Sequence, residues 1–477
     1  MIFVQLLFCS CNKWLNITPQ TEIPAKDMFQ KEQGYEDVII GCYIKMADND
    51  LYGLSLSIKE IEVMAQMWGK LDENNQKDLI SLKNFDFEAA SAQNKFKNVY
   101  QKLYNVISQA NTILENIEES GSVIKSKSKR DIIKGEALAI RALCHFDLLR
   151  IFGQVPVGAN INVSLPYSEK TGTEGADLFT FSAYSEKVKR DINQAVILLA
   201  TDPVKTYGVA KLNSFSATTD YEVEDFLICR RFRLNYFAVK ALQARISLYL
   251  GDKATANQAA LEVINAKDKD SKEAISLSTD ADFIAFNNAL PTETIFGLSK
   301  SALENMQTEI RLLKLGKNQK KELFTGRNTA SNNRFNLVWG KNVDQVGSEY
   351  DILNKYVQNK DQSENKSESY KIQNRWFVPM LRLSEMYLIA MESSNNLAQI
   401  NELYKTYMLA RNEQVEGFEG IESAKEEILN EYRREFFAEG QMFFTYKRLN
   451  SSKMLWSNAK ILEVNYIMPV PKSEIKK

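Results

Sequence analysis

Residues 134–158 read KGEALAIRALCHFDLLRIFGQVPVG, and this stretch decides the fold of the chain. The spacing of its apolar residues predicts a helix that is apolar around most of its circumference. The rest of the helix surface is a narrow polar strip that we expect to face water, formed by Glu136, Arg141, His145, Arg150 and Gln154. We expect Gly153, in the left-handed conformation, and then Pro156 to end the helix. Such a helix must pack against neighbours on more than one side.

Residues 94–119 carry a single apolar stripe, so we expect them to form an antiparallel helical hairpin with the first stretch. Helical spacing returns at 34–46, 183–200, 234–250, 252–266, 378–394, 398–412 and 421–450. The pairing resembles tetratricopeptide units, which stack on one another. Periodicity is weak at 48–86 and disappears between 267 and 375, where scattered aromatic residues favour an ordered, functional insertion.

The predicted fold is therefore mainly all-α, with four tetratricopeptide-like hairpins as a scaffold and a loop-rich, irregular ligand-binding half. The predicted domain organisation is a signal peptide at 1–10 and a single domain at 11–477. Within that domain we expect a ligand-face region at about 40–93, the scaffold at about 94–266 and 377–450, and the insertion at about 267–376.

Composition excludes several functions. The chain of 477 residues has 60 Lys and Arg against 61 Asp and Glu, so no global charge attracts nucleic acid. Its one histidine, His145, excludes multi-histidine zinc sites, and we interpret it as structural. Nucleotide-binding and EF-hand motifs are missing, and we predict no cofactor and no metal. The acidic pair Glu435 and Glu439 is interpreted as salt-bridge partners or a solvated face, so no catalytic residue is predicted.

The first residues of the chain suggest export. An apolar run at 2–8 is followed by Ser10 and Cys11, as in bacterial lipoproteins, in which the cysteine thiol receives a lipid. We therefore predict lipidation at Cys11. No basic residue precedes Lys13, so we expect the leader to have lost residues. The alternative is a buried N-terminal strand.

Five blocks together resemble one family. They are CNKWLNITPQ from Cys11, GEALAIRALCHFDLLRIFGQVPV from Gly135, VPMLRLSEMYLIAMES from Val378, NEYRREFFAEGQMFFTYKRLN from Asn430, and the closing YIMPVPKSEI. Their order is similar to that of the SusD/RagB glycan-binding outer-membrane lipoproteins of Bacteroidetes. Many members follow the acidic-glycine pair, here Glu439 and Gly440, with an Arg and an Asp; this chain has Met442 and Thr445 instead. Because the ion pair is lost as a unit, no unpaired charge is expected.

The resemblance implies a lipid-anchored protein on the cell surface that captures oligosaccharide or another nutrient and delivers it to a SusC-like TonB-dependent porin. It also implies that the protein is not an enzyme. Two alternatives remain open at this point. One is a glycosidase built on helical hairpins, and the other is a non-catalytic, protein-binding repeat scaffold in the periplasm.

A glycan site pairs exposed aromatic rings, which pack on the apolar face of a sugar, with amide or charged groups that bind its hydroxyls. Trp68, followed by Asp72, Asn74 and Asn75, fits that description best. Trp339, near Arg334 and Asn336, is the second candidate, and Tyr350 is the third. The alternative is that Trp68 ends a short apolar helix and belongs to the core. We expect Trp14, Trp376 and Trp456 to be structural.

Overall fold

The computed structural model describes residues 25–69, 71–172, 177–214, 216–284, 289–300, 303–316, 318–343, 347, 349–356 and 377–472. Helices dominate these residues and the strands are short, which confirms the predicted mainly helical fold. Three residues discussed above, Cys11, Trp14 and Trp376, lie outside the described ranges. No helix within those ranges has the length and hydropathy of a membrane span.

The first part of the chain carries the longest helices. They are α1 (Ala25–Met28), α2 (Glu32–Met46), α3 (Glu60–Met64), α4 (Lys77–Lys83), α5 (Ala90–Asn116), α6 (Lys127–Phe152), α7 (Phe181–Leu198), α8 (Val204–Tyr207), α9 (Ala217–Asp220), α10 (Tyr236–Tyr249) and α11 (Lys253–Ile264). A short antiparallel pair, β1 (Leu165–Pro166) and β2 (Leu178–Phe179), follows α6. Helix α6 packs on both α5 and α7, and α10 packs on α7 and α11.

The second part alternates short helices with strands before long helices return. It contains α12 (Asp280–Ile284), β3 (Thr294–Ser299), α13 (Leu303–Arg311), β4 (Leu315–Gly316), α14 (Gln319–Leu323), α15 (Asn333–Leu337), β5 (Trp339–Val343), β6 (Glu349–Leu353), β7 (Phe377–Arg382), α16 (Leu383–Ser393), α17 (Leu397–Leu409), α18 (Ile421–Glu435) and α19 (Met442–Arg448). Strand β3 pairs antiparallel with β7, and the second sheet has the order β4-β6-β5.

Helices α5 and α6 form the predicted antiparallel pair. The rings of Tyr100 and Phe152 lie 5.2 Å apart, and Arg141 donates to the side chain of Asn111 at 3.0 Å. The two contacts show that the helices run in opposite directions. Gly135 lets α6 approach the end of α7, because a Cβ there would lie 2.9 Å from Leu199. The likeness to tetratricopeptide repeats remains a prediction.

The polar strip of α6 does not face water. Every residue from 135 to 153 is buried, so the expectation of a hydrated strip is wrong. Glu136 is bound by the guanidinium groups of Arg230 and Arg233, and Arg141 by the carboxylate of Asp191 at 2.6 Å. These partners lie 50 to 97 positions further along the chain, which is why local spacing cannot reveal them.

His145 is a structural residue, as predicted. Its Nδ1 lies 2.6 Å from the Tyr184 hydroxyl and its Nε2 lies 3.2 Å from the Ser168 carbonyl oxygen. The ring stacks on Tyr167 with centroids 3.8 Å apart. Burial lowers the pKa of His145 to about 3, so the imidazole is neutral at any pH near 7.

Gly153 ends α6, but its backbone is not left-handed. Its φ is −77° and its ψ is 172°, which any residue can adopt. The glycine is required by space, because a Cβ would lie 2.5 Å from the Leu149 carbonyl oxygen. The predicted helix end is therefore right and the reason given for it is wrong.

Three further boundaries differ from the prediction. The segment 378–382 is strand rather than helix, since β7 pairs with β3. The helix predicted over 421–450 is divided into α18 and α19 by a turn in which Ala438 and Gly440 have φ of 62° and 72°. The region 267–376 contains short helices and strands that are too brief to show a period, so it is less irregular than expected.

A buried group of charges joins the region 267–376 to the C-terminal part of the chain. This central ion cluster consists of Glu293, Arg334, Lys355, Arg382, Arg411, Glu431, Glu435 and Glu439, which are all buried. Arg382 contacts the carboxylates of Glu293, Glu435 (2.6 Å) and Glu439 (2.7 Å). Each of the four carboxylates contacts at least one of the four cations, so every charge of the cluster has an opposite charge beside it.

The electrostatics of the cluster follow from that pairing. Burial opposes the charge on Glu435, yet Arg411, Arg382 and Arg334 hold the pKa of its carboxyl well below the usual range. Since Glu435 and Glu439 are committed to these ion pairs, the salt-bridge interpretation of the two residues is confirmed and the solvated one is wrong. The cluster fixes the insertion to the C-terminal helices that carry it.

Candidate ligand-binding surface

The two predicted tryptophans meet inside the molecule. Trp68 is 1% exposed and Trp339 is 6% exposed. Each packs edge-to-face on the ring of Phe437, with centroids 4.9 Å apart in both pairs. The expectation that these indoles are exposed platforms for a sugar ring is therefore wrong for this structure, although both come from the regions predicted to form the ligand face.

The burial of Trp68 has a local cause. It ends the segment 58–68, in which all but Lys59 are buried, and its Nε1–H donates to the Ile58 carbonyl oxygen at 2.7 Å. A buried indole needs such an acceptor. The alternative interpretation, in which Trp68 belongs to the core, is the one that the structure confirms.

The polar loop that follows Trp68 is exposed. The Asp72 carboxylate accepts from the backbone N–H groups of Asn74 (2.8 Å) and Asn75 (3.2 Å) and from the Asn75 amide (2.8 Å). The hydrogen bond from the Asn75 amide, with those from the backbone, lowers the pKa of Asp72. The Asn74 side chain is exposed and has no hydrogen-bond partner among the described residues, so it is available to a ligand.

This loop is held against the segment around β4. Gly69 N–H donates to the Lys314 carbonyl oxygen at 3.0 Å, and the Gln76 amide donates to the Leu312 carbonyl oxygen at 3.3 Å. Glycine is favoured at position 69, because a Cβ would lie 2.9 Å from the Lys314 carbonyl oxygen. The contact places two segments separated by more than 230 positions on one surface.

Tyr350, the third predicted aromatic residue, belongs to the same surface. It lies on β6 opposite Gly316, is half-buried, and has the Lys314 ammonium 4.1 Å from its ring centroid. The charge of Lys314 also acts on Asp72. The structure therefore brings Asp72, Asn74 and Tyr350 to one face, which we call the loop surface and define by residues 69–83, 312–316 and 350.

A concave area of about 450 Å³ opens beside this loop, lined by Gly69, Leu71, Glu73, Lys77, Ile80 and Lys83. The Lys83 ammonium donates to the carbonyl oxygens of Trp68 (2.9 Å) and Gly69 (2.5 Å) and so fixes the start of the loop. Burial lowers the pKa of Lys83. The volume lies within the range of small-molecule sites.

Asn336 is exposed, but its amide is used by its own turn. It donates to the carbonyl oxygens of Thr329 (3.1 Å), Ala330 (3.3 Å) and Asn332 (3.1 Å). No contact among the described residues joins it to the loop surface, so its role in binding remains a prediction.

Trp456, predicted to be structural, packs against the core and donates to the Glu322 carboxylate at 3.0 Å.

Sequence reasoning did not identify the lysines of this surface. Lys77 and Lys83 lie on the short helix α4, and Lys314 lies beside a strand of two residues. The run DENNQKD at 72–78 marks an exposed loop, but nothing in its spacing shows which distant segment it contacts. Among the described residues, no group of three or more His, Cys, Asp or Glu is placed to hold a metal ion.

Comparison with known proteins points to one family. The sequence profile of a family described as "Starch-binding associating with outer membrane" matches residues 13–217. A SusD-like protein of Formosa agariphila is 25% identical over 173 residues, a match that covers 33% of this chain and 30% of the length of that relative. Both matches support the resemblance of this chain to the SusD/RagB family.

Solved structures show the same fold over almost the whole chain. A SusD superfamily protein of Bacteroides vulgatus has a TM-score of 0.70 at 18% identity and covers 93% of this chain and 96% of its own. A putative sugar-binding protein of the same species has a TM-score of 0.69 at 19% identity, with 93% and 96% covered. A laminarin-binding SusD-like protein has a TM-score of 0.65 at 16% identity, with 93% and 97% covered.

The SusD-like fold accounts for the acidic-glycine pair. Glu439 binds Arg382 in the central ion cluster, and Gly440 has a φ of 72° and would bring a Cβ within 2.0 Å of the Leu56 carbonyl oxygen. The departures that follow are accommodated as expected. Met442 is completely buried and the Thr445 hydroxyl donates to the Gln441 carbonyl oxygen at 3.0 Å, so neither leaves an unpaired charge.

Proposed function

We propose that this protein binds an oligosaccharide at the loop surface and delivers it to a SusC-like TonB-dependent porin in the outer membrane. The observation that carries the proposal is that Asp72, Asn74 and Tyr350 lie on the loop surface, where Leu71 and Glu73, which flank Asp72, line a concavity of about 450 Å³. The match to the SusD-like family supports it. Carboxylate and amide groups bind sugar hydroxyls, and the Tyr350 ring offers a partly exposed aromatic face.

The starch-binding description of the family and the laminarin-binding neighbour support a glucan as the first ligand to test. Calorimetric titration with maltoheptaose and laminarihexaose is the direct experiment. We expect saturable binding of at least one, weakened about tenfold by Tyr350→Ala, which corresponds to about 1.4 kcal/mol. A matched control is Tyr221→Ala, since Tyr221 is also half-buried and packs on another tyrosine ring.

Two results would contradict a glycan ligand at this surface. One is the lack of saturable binding to any oligosaccharide in a wider panel of neutral and acidic glycans. The other is parental affinity in folded Tyr350→Ala and Asp72→Ala variants. Binding that survives both substitutions would show that the glycan site lies elsewhere on the chain.

We also propose that the protein is not an enzyme. A glycosidase needs two carboxyl groups that flank a bound sugar, and Glu435 and Glu439 are instead buried in ion pairs. Incubation with the bound oligosaccharide should release no reducing ends. Release that is lost in a Glu73→Gln or Asp72→Asn variant would establish a catalytic function at the loop surface.

Anchoring to the membrane completes the proposal and rests on the sequence around Cys11. One lipid chain binds a membrane weakly and several bind firmly, so the native protein should sediment with outer membranes at high salt. Cys11→Ala should release it to the soluble fraction. The porin partner should co-purify after mild detergent extraction, and failure to recover any porin would count against delivery but not against glycan binding.

A further inference from the structure

A second concave area lies on the helical scaffold, between α11, α16 and α17, under the segment 273–280. Its volume is about 430 Å³. Its lining includes Glu273, Thr279, Asp280, Tyr387, Thr406 and Leu409. It shares no lining residue with the concavity of the loop surface. We call it the scaffold cleft.

Tyr387 supplies a hydroxyl group to the wall of this cleft. The residue is 8% exposed, and its hydroxyl has no hydrogen-bond partner among the described residues. Because the side chain is held by its burial and its hydroxyl, unpaired within the described ranges, is accessible from the cleft, this group is suited to a ligand or to water. Burial, with the added charge of Glu273, raises the pKa of Tyr387 to about 12, and the phenol therefore stays protonated.

The charges of the cleft have one sign. No Lys or Arg side chain is among the described residues that line it, whereas Glu273 and Asp280 are. Asp280 accepts from the Asn333 amide at 2.9 Å through one oxygen, and its other oxygen has no partner among the described residues. Glu273 meets Lys267 at 3.9 Å on the surface, where both side chains are more than half exposed. Phosphate, sulfate and uronate groups are therefore disfavoured and an ammonium group is favoured.

The remaining lining is amphipathic. Leu409 is 63% exposed and, with Leu277 and Leu383, provides aliphatic contacts. Thr279 and Thr406 place hydroxyl groups around them. A ligand that matches this lining has one apolar face and an edge of hydroxyl groups, and its volume must fit within about 430 Å³.

We infer that the scaffold cleft binds an amine-bearing monosaccharide unit, a hexosamine, with its ammonium group against Asp280 and Glu273, its hydroxyl groups toward Thr279 and Tyr387, and its C–H face on Leu409. This inference does not rest on the proposed function of the loop surface. It adds a second saccharide site of different charge preference to the same chain.

Saturation-transfer NMR on the whole protein tests the ligand class with four probes. Glucosamine should saturate in the millimolar range, at least fivefold more tightly than glucose, which lacks the charge. Butylamine, which has the charge without the ring, should also bind at least fivefold more weakly, and glucuronate should not bind. The inference is overturned if glucosamine does not saturate, or if glucose, butylamine or glucuronate binds as tightly.

Substitutions test the location. Asp280→Asn should weaken glucosamine binding at least fivefold and Tyr387→Phe about threefold. Glu402→Gln, on the exposed side of α17, and Tyr249→Phe, which removes a buried and unpartnered hydroxyl from another cavity, should have no effect. Asn74→Ala, at the loop surface, should also leave glucosamine binding unchanged.

Thermal unfolding identifies any cleft variant that does not fold. Thr279→Val, which changes an exposed position of the cleft, is then measured in place of that variant. Parental glucosamine affinity in every folded cleft variant would overturn the assignment. A loss of glucosamine binding in Asn74→Ala would also overturn it, because the probe would then occupy the loop surface.

Discussion

Helix α6 and the loop surface use polar residues in opposite ways. In α6, buried charges such as Glu136 and Arg141 are bound by side chains that are distant in sequence. Removing one member of such a pair would leave the other as a buried charge without a counter-ion. In the loop surface, Asp72 binds its own turn, and the exposed Asn74 side chain has no hydrogen-bond partner in the part of the chain that the structure describes. The first arrangement fixes the scaffold, and the second leaves hydrogen-bonding capacity for a ligand. The comparison predicts that stability and binding can be changed separately.

The largest effect on stability is expected at the central ion cluster. Arg382→Leu would remove one of the two cationic partners of Glu293 and of Glu439 and leave more buried negative than positive charge, so the free energy of unfolding should fall by about 3–5 kcal/mol. Urea denaturation measures it. The control is Lys425→Ala, which breaks an exposed pair with Glu422 and should cost less than about 1 kcal/mol. Equal losses in the two variants would show that the cluster does not hold the insertion to the C-terminal helices.

Glu62 connects the region before the loop to the turn at 438–440, and it should make stability depend on pH. Its Oε1 accepts from Gly440 N–H at 2.8 Å, and burial raises the pKa of its carboxyl to about 8. Between pH 5 and pH 8 the folded chain retains a proton that the unfolded chain has released. The contribution of Glu62 to stability is therefore complete below about pH 4.5 and falls by about 4 kcal/mol as pH rises to 8.

The variant Glu62→Gln isolates this effect. The difference in unfolding free energy between the parent and the variant should decrease steadily from pH 5 to pH 8. His145 does not affect the comparison. Its lowered pKa makes stability decrease as pH falls, which is the opposite direction, and the residue is the same in the parent and the variant. Parallel pH profiles for the parent and the variant would contradict a raised pKa at Glu62.

Two glycines with similar backbone angles separate conformation from close packing. Gly440 and Gly251 have φ of 72° and 84°, but only Gly440 has atoms within reach of an added Cβ, the nearest 2.0 Å away. Gly251→Ala should cost about 1 kcal/mol of unfolding free energy from the backbone alone, and Gly440→Ala at least about 2 kcal/mol. Differential scanning calorimetry compares them. Similar losses would mean that the turn at 438–440 adjusts freely.

The smallest effect on stability is expected at the loop surface. Asn74→Ala should change the unfolding free energy by less than about 0.5 kcal/mol, since the side chain is exposed and unpaired. The same substitution should weaken oligosaccharide binding severalfold in calorimetric titration. Asn105→Ala, at an exposed position of α5, should change neither quantity. A loss of more than 2 kcal/mol in Asn74→Ala would end the distinction between the two regions.

The sequence by itself determined the long helices, because their apolar residues recur at a helical period that needs no partner to be recognised. It also determined that the run at 72–76 is an irregular, mostly exposed loop, since it has no apolar face to bury; Lys77 and Asp78 already belong to α4. The end of α6 at Gly153 and the structural role of His145 could be predicted for similar reasons. One of the family blocks contains Gly440, a position with no space for a side chain, because a Cβ there would lie 2.0 Å from the Leu56 carbonyl oxygen.

Only the tertiary structure decided the rest. Trp68 and Trp339 are 271 positions apart, and their burial depends on Phe437, which lies far from both in sequence. Asp72 and Tyr350 share a surface because Gly69 and Gln76 dock on residues 312–314. The strip of α6 is buried because Arg230, Arg233 and Asp191 pack against it. In each case the energy of one side chain is set by a partner that local spacing does not show, and folding alone brings the two together.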